Sequence, residues 1–191
     1  MQAGESPDTA NFPSCGDFDI RIARDGTWFY RGTPIGRLPL VKLFSTVLRR
    51  EDDGRYWLVT PVERGLIEVE DAPFIAVELV VKGQGREQEL WFRSNVDDWV
   101  VLDQEHRLRV SHDPETQEPR PYITMRKGLE ALLVRSVFYQ LVALAETETE
   151  TADSAPRLGV WSKGCFFPLD AAETVPAPAS GDPGDEENDK P

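Results

Sequence analysis

Apolar positions recur along the chain at two spacings, and the alternation between them sets out the expected elements. Phe18, Ile20 and Ile22 alternate with polar residues, as a half-buried strand requires. Asp25-Gly26 is a hairpin signal, and Trp28-Phe29-Tyr30 supplies the returning strand. Leu40, Leu43, Phe44, Val47 and Leu48 then recur at three- and four-residue spacing, predicting a helix over 35–50. Pro39 fits only if the regular helix starts near Leu38, which puts proline in the first turn. Strands are predicted at 56–60, 66–69, 74–81, 87–93, 99–102 and 108–110, with turns at Arg64-Gly65, 71–73 and 82–85. Connections this short favour an antiparallel meander over crossover units. A polar loop over 113–121 leads to a strand at 122–126. GLEALLVRSVFYQLVALAE then predicts a helix over 128–146. The acidic stretch ETETETADSAP is expected to be a solvated loop, and 157–161 and 165–169 to form a last hairpin around Lys163-Gly164.

Shifting the chain by 94 positions superimposes the two predicted helices. Ile35 falls on Leu129, Leu38 on Leu132, Leu43 on Val137, Phe44 on Phe138 and Val47 on Leu141. A strand precedes each helix and a Trp-containing strand follows each, which suggests a degenerate duplication of a strand–helix–strand unit. Helical periodicity alone also produces several such matches. The expected fold class is α+β: two packed roll-like halves of antiparallel β-sheet, 17–93 and 94–170, each with a helix. Residues 1–16 are expected to form a flexible arm. Residues 171–191, rich in Pro, Ala, Gly and acid, are expected to be a disordered tail.

A hydrophobic content of 40% with five Trp and nine Phe is enough for a substantial core. The formal charge of −13 argues against unassisted nucleic-acid binding and against docking on anionic lipid. Cys15 and Cys165 lie far apart and cannot furnish a cysteine-rich zinc site. His106 and His112 stand among polar residues without a closed ligand set, so neither metal nor cofactor is expected. MQAGESPDTANFPSC lacks the regions of a signal peptide, and no apolar run approaches the roughly 20 residues of a membrane helix. The expectation is a cytoplasmic chain with reduced thiols.

The stretch LVTPVERGLIEVEDAPF crowds Glu63, Glu68, Glu70 and Asp71 together. Strand alternation puts Glu68 and Glu70 on a solvated face, and Asp71 in a turn. Thr60, Pro61 and Glu63 sit at a strand end, where side chains are presented rather than packed. Arg37 and Arg126 lie by the helices. Arg135 lies in the second, beside Val134, Val137 and Phe138, where it is either exposed or holds an anion. Arg37, Thr60, Pro61, Glu63, Asp71, Arg126 and Arg135 are the expected lining of a ligand groove between the halves. No catalytic residue is assigned.

DGTWFYRGTPIGRLPLVKLFSTVLRREDDGRYWLVTPVERGLIEVEDAPF resembles the N-terminal signature of a proteobacterial family of uncharacterised proteins, a domain of unknown function. YITMRKGLEALLVRSVFYQLV and GVWSKGCFFPL resemble its C-terminal signature. The resemblance spans about 18–169 and implies a compact protein of roll-like sheets and helices with related halves. It also implies a ligand-responsive or signalling role, and carries over no catalytic residue. The expected function is a non-catalytic cytoplasmic binding module, a sensor or adaptor for a small anionic molecule or a protein partner. Two alternatives stay open: a hydrolase or isomerase using Glu63 or Asp71 as base with an arginine clamp, and a structural homo-oligomer.

Overall fold

The computed structural model describes residues 14–149 and 155–169. The expected tail over 171–191, most of the expected arm and the middle of the acidic spacer lie outside them. The described chain runs through five short antiparallel meanders. The first is β1 (Ser14–Ile22), β2 (Trp28–Tyr30) and β3 (Thr33–Pro34), followed by α1 (Leu38–Val47). The second is β4 (Leu48–Arg50), β5 (Tyr56–Val59) and β6 (Arg64–Val69); the third is β7 (Phe74–Lys82), β8 (Glu89–Ser94) and β9 (Trp99–Val101). The fourth is β10 (Leu108–His112), β11 (Pro119–Arg126) and β12 (Leu129–Leu133), before α2 (Arg135–Val142). The fifth is β13 (Glu146–Glu148), β14 (Arg157–Ser162) and β15 (Cys165–Pro168).

The first two meanders join through a parallel β1–β6 pair into one six-stranded sheet, and the next two join through a parallel β12–β7 pair into another. The fifth forms a sheet of its own. Each helix thus stands between two meanders, and β1 and β10 start 94 positions apart. This is an α+β fold of two curled six-stranded sheets with a helix in each part, and its recurring order of elements is that of duplicated halves. The chain passes from the first sheet to the second over residues 70–73.

Tight turns carry the meanders. Arg31-Gly32 and Lys163-Gly164 have positive φ at both central positions (48° and 74°, 50° and 71°). That backbone twist suits a two-residue hairpin.

Two expectations need correction besides the end of the first helix, where Leu48–Arg50 pair with β5 as a strand. Residues 129–133 are a strand, not the first turns of a helix. Leu129, Ala131 and Leu133 are buried while Glu130 and Leu132 are not, so a period of two coexists there with the helical spacing. Hydrogen bonding to β11 and β7 on both edges decides in favour of the strand. The helices therefore register differently from a shift of 94: the buried positions Val41 and Ser45 of α1 correspond to Val137 and Leu141 of α2, 96 positions on. The second correction is Glu146–Glu148, which pairs with β14 rather than looping through solvent.

One hydrophobic cluster runs through all three sheets, from Ile22, Trp28 and Leu48 through Phe74, Phe92 and Leu129 to Leu141 and Val160. A polar clip joins the first two sheets. The Asn95 side chain accepts a hydrogen bond from the Ile75 N–H (3.1 Å) and donates one to the Gly26 carbonyl (3.3 Å). Gly26, at φ 81°, has no room for a Cβ, which would fall 2.6 Å from Ile75.

Candidate functional site

Between the two six-stranded sheets lies a polar groove of about 420 Å³. The first sheet contributes Arg50 at the end of β4 and Tyr56 at the start of β5, and the link between the sheets contributes Asp71. The second sheet contributes Arg109 from β10, Tyr122 and Thr124 from β11, Gly128 from the β11–β12 turn and Glu130 from β12. Strand alternation explains the last set. Arg109 is paired in register with Tyr122, and Thr124 with Glu130, so their side chains leave one face of the sheet. Gly128 (φ 72°) turns the hairpin against β4, where a Cβ would lie 3.4 Å from that of Arg50.

Each side of the groove carries an arginine against a tyrosine ring. The Arg50 guanidinium carbon is 5.5 Å from the Tyr56 ring centre, and that of Arg109 is 4.3 Å from the Tyr122 ring centre. Glu130 holds Arg109 in two-pronged fashion, accepting from Nε at 3.1 Å and Nη2 at 2.7 Å. That pairing raises the Arg109 pKa further. Asp71 has both oxygens engaged: Arg120 donates to Oδ2, and the Tyr122 hydroxyl donates to Oδ1 at 2.9 Å. Arg120 also lies 3.7 Å from Asp113. Arg50 differs from the others. Its Nε donates to the Gly54 carbonyl at 3.4 Å, and among the described residues no carboxylate pairs with it. The groove therefore holds two carboxylates that are already matched and one guanidinium that is not.

Burial, and then the bond to Asp71, push the Tyr122 hydroxyl from 10.0 up to about 12. Burial raises Tyr56 as well. A phenol whose folded pKa exceeds its unfolded one stabilises the fold fully below the unfolded value. That contribution is lost as pH rises through the folded value. Unfolding followed by circular dichroism between pH 9 and 12 is thus expected to show stability falling above about pH 10. Tyr122→Phe should remove part of that slope.

The structure disperses the residues singled out from sequence. Asp71 alone of the seven lines this groove. Thr60 and Glu63 rim a separate, apolar cavity against α1, with Pro61 exposed beside them. Arg37 is exposed at the start of α1, where its carbonyl accepts the Leu40 and Val41 N–H groups. Arg126 donates to Asp98 at 3.1 Å and stacks its guanidinium on Phe74, 5.3 Å away. Arg135 is largely exposed and paired with Glu118 at 2.7 Å. The carboxylates crowded together in 58–74 separate too: Glu68 is exposed, while Glu70 pairs with Arg21 and accepts the Arg24 N–H. Sequence reasoning missed Arg50, Tyr56, Arg109, Tyr122 and Glu130. One usable signal was the PRPY run of 119–122, a proline-flanked strand start that presents Arg120 and Tyr122 to a neighbour.

No group of three or more potential metal ligands occurs among the described residues, and no helix there is long and apolar enough to cross a membrane. His106 lies 3.3 Å from Asp103.

Family models match the chain in two parts. A "domain of unknown function (DUF1285), N-terminal domain" covers residues 8–72, and a "protein of unknown function (DUF1285), C-terminal domain" covers 73–169. Among solved structures, a DUF1285 family protein from Silicibacter pomeroyi DSS-3 is 52% identical, with a TM-score of 0.76 over 83% of each chain. A DUF1285 family protein from Shewanella baltica OS155 is 27% identical, with a TM-score of 0.51 over 65% of this chain and 90% of that one. No match was found among curated proteins.

Proposed function

Since the chain belongs to the DUF1285 family, a family of unknown function, we propose that it is a non-catalytic cytoplasmic binding module, a sensor or adaptor whose site is the groove between its two six-stranded sheets. Its ligand is a small anion, a carboxylate or a phosphate. One observation carries the reading: Arg50 faces the groove without a carboxylate partner among the described residues, opposite an arginine and a tyrosine already fixed by Glu130 and Asp71. A planar guanidinium matches carboxylate and phosphate geometry with two parallel N–H donors, and fixed neighbours lower the ordering cost of binding. Asp71 supports the binding reading over the use of this carboxylate as a base. With Arg120 and Tyr122 both donating to it, its lone pairs are committed to holding the wall.

The test is a thermal-shift panel of organic acids and phosphorylated compounds. A ligand at about 100 times its Kd stabilises by about 2.7 kcal/mol. For a chain of this length that raises the midpoint by roughly 5–10 °C. Arg50→Ala should abolish the shift while leaving the unliganded midpoint within a degree or two. A panel that shifts nothing, or a shift that survives in Arg50→Ala, contradicts the proposal.

A further inference from the structure

We propose that the occupant of the groove is a hydroxylated monocarboxylate of the sugar-acid type. Its one carboxylate meets Arg50, and its hydroxyls meet the other free polar groups of the lining. Such a ligand presupposes the anion reading of the groove and narrows it, by charge and by hydrogen-bonding capacity. The volume of about 420 Å³ lies within the roughly 300–1,000 Å³ of small-molecule sites.

Charge limits the ligand to a single negative group. Glu130 neutralises Arg109 through bonds of 3.1 and 2.7 Å, and Asp71 is matched by Arg120. Arg50 is the lining charge left over among the described residues, so one unit of negative charge balances the groove. A second unit would face Glu130 and Asp71 with no cation to meet it, and like charges close together repel. That disfavours a dicarboxylate or a phosphate dianion against a monocarboxylate. An ammonium fares no better. Each carboxylate of the lining already has its guanidinium, and a further cation would lie beside that one.

Hydrogen-bonding capacity asks for hydroxyls. Apart from the two tyrosine rings, no apolar side chain lines the groove, so an alkyl chain gains little by leaving water for it. Tyr56 and Thr124 are half-buried, and among the described residues neither hydroxyl has a hydrogen-bond partner. The Tyr56 phenol, whose pKa burial raises, also feels the charges of Arg50, Glu130, Asp71 and Arg109, so its hydroxyl stands among all four. Each of the two free hydroxyls both donates and accepts. Glu130 keeps an acceptor site on each oxygen, and Arg109 keeps its Nη1 donors. A carboxylate answers only donors, whereas a ligand hydroxyl answers donors and acceptors alike. A site built for such bonds rejects the analogue that lacks them, because its own polar groups are then left unpaired.

The test is isothermal titration calorimetry of the full chain with D-gluconate, D-glucuronate, hexanoate, inorganic phosphate and D-glucose. The better of the two sugar acids should bind about tenfold or more tightly than hexanoate, which has the charge and chain length of gluconate without its hydroxyls. Glucose, which lacks the carboxylate, should bind about tenfold or more weakly than that sugar acid. Tyr56→Phe and Thr124→Val each delete a hydroxyl at nearly constant shape. Since neither hydroxyl is bonded within the described chain, both variants should keep the parent's melting midpoint. Each should weaken the sugar acid about threefold or more and leave phosphate binding within about twofold. If hexanoate or phosphate binds as tightly as the better sugar acid, this ligand class is overturned and the anion reading stands. A preference for the sugar acid that survives in both variants puts its hydroxyls elsewhere and overturns the assignment. If no anion binds, or if Arg50→Ala binds anions as the parent does, the anion reading falls and the sugar acid with it.

Discussion

Asp71→Ala is expected to lower the unfolding free energy by about 3 kcal/mol, because it takes the shared acceptor from the Tyr122 hydroxyl and leaves Arg120 with only the more distant Asp113, at 3.7 Å. Breaking a buried ion pair from one side costs about 3–5 kcal/mol. The side chains of Asp71 and Arg120 are 14% and 19% exposed, which points to the low end. The geometry makes the loss larger than that of a surface pair. Asp71 sits on the link between the first two sheets and ties that link to β11, so its removal loosens the joint as well as the contact. Tyr122→Phe removes one neutral donor and should cost only about 1 kcal/mol. Replacing Arg120 together with Asp71 should recover part of the loss, since no guanidinium is then left stranded. Urea unfolding of the four proteins checks the order: Asp71→Ala least stable, the double variant above it, and Tyr122→Phe nearest the parent.

Phe92→Ala carries the other large effect, about 3–5 kcal/mol, through the cavity left by a ring that the fold cannot collapse around. Phe92 sits mid-strand in β8 with no exposed surface and belongs to the cluster common to all three sheets. Tyr139, 64% exposed on α2, is the control; Tyr139→Ala should stay within about 0.5 kcal/mol. The same urea series measures both. A small effect at Phe92 would mean that the shared core is not what holds the sheets together.

Strands such as β6, β8 and β12 are half-buried and carry a burial period of two. Burial in Glu89–Ser94 alternates strictly, with Leu90 and Phe92 inward. The start of α1 was legible from Pro39, which tolerates only the first turn. Strand pairing was not. The central parallel pairs β1–β6 and β12–β7 join segments some 40 to 60 positions apart, and nothing local records them. Residues 129–133 were misread because one run satisfies both the helical and the strand period, and only its neighbours decide.

The groove was hidden for the same reason. Arg109 alternates with Leu108 and Val110 as any solvated strand residue does, and its stacking on Tyr122 exists only once β10 and β11 pair. Arg50 looks like the charged end of a helix, yet it closes a three-residue strand opposite Gly128. Asp71 looks like a turn residue, and becomes a joint only when residues 49 and 51 positions further on are brought to it. Sequence thus led only to the expectation of a groove between two related parts. The side chains that line the groove between the sheets became visible only with their pairing.

The most direct measurement of the central claim is a map of amide chemical shifts in the 15N-labelled chain, titrated with inorganic phosphate and with benzoate at constant ionic strength. Saturable shifts concentrated at Arg50, Tyr56, Tyr122 and Gly128, and absent in Arg50→Ala, are the predicted result. Saturable shifts centred instead on Arg24, Val134 and Arg135, or shifts spread over the surface without saturation, would contradict an anion site between the sheets.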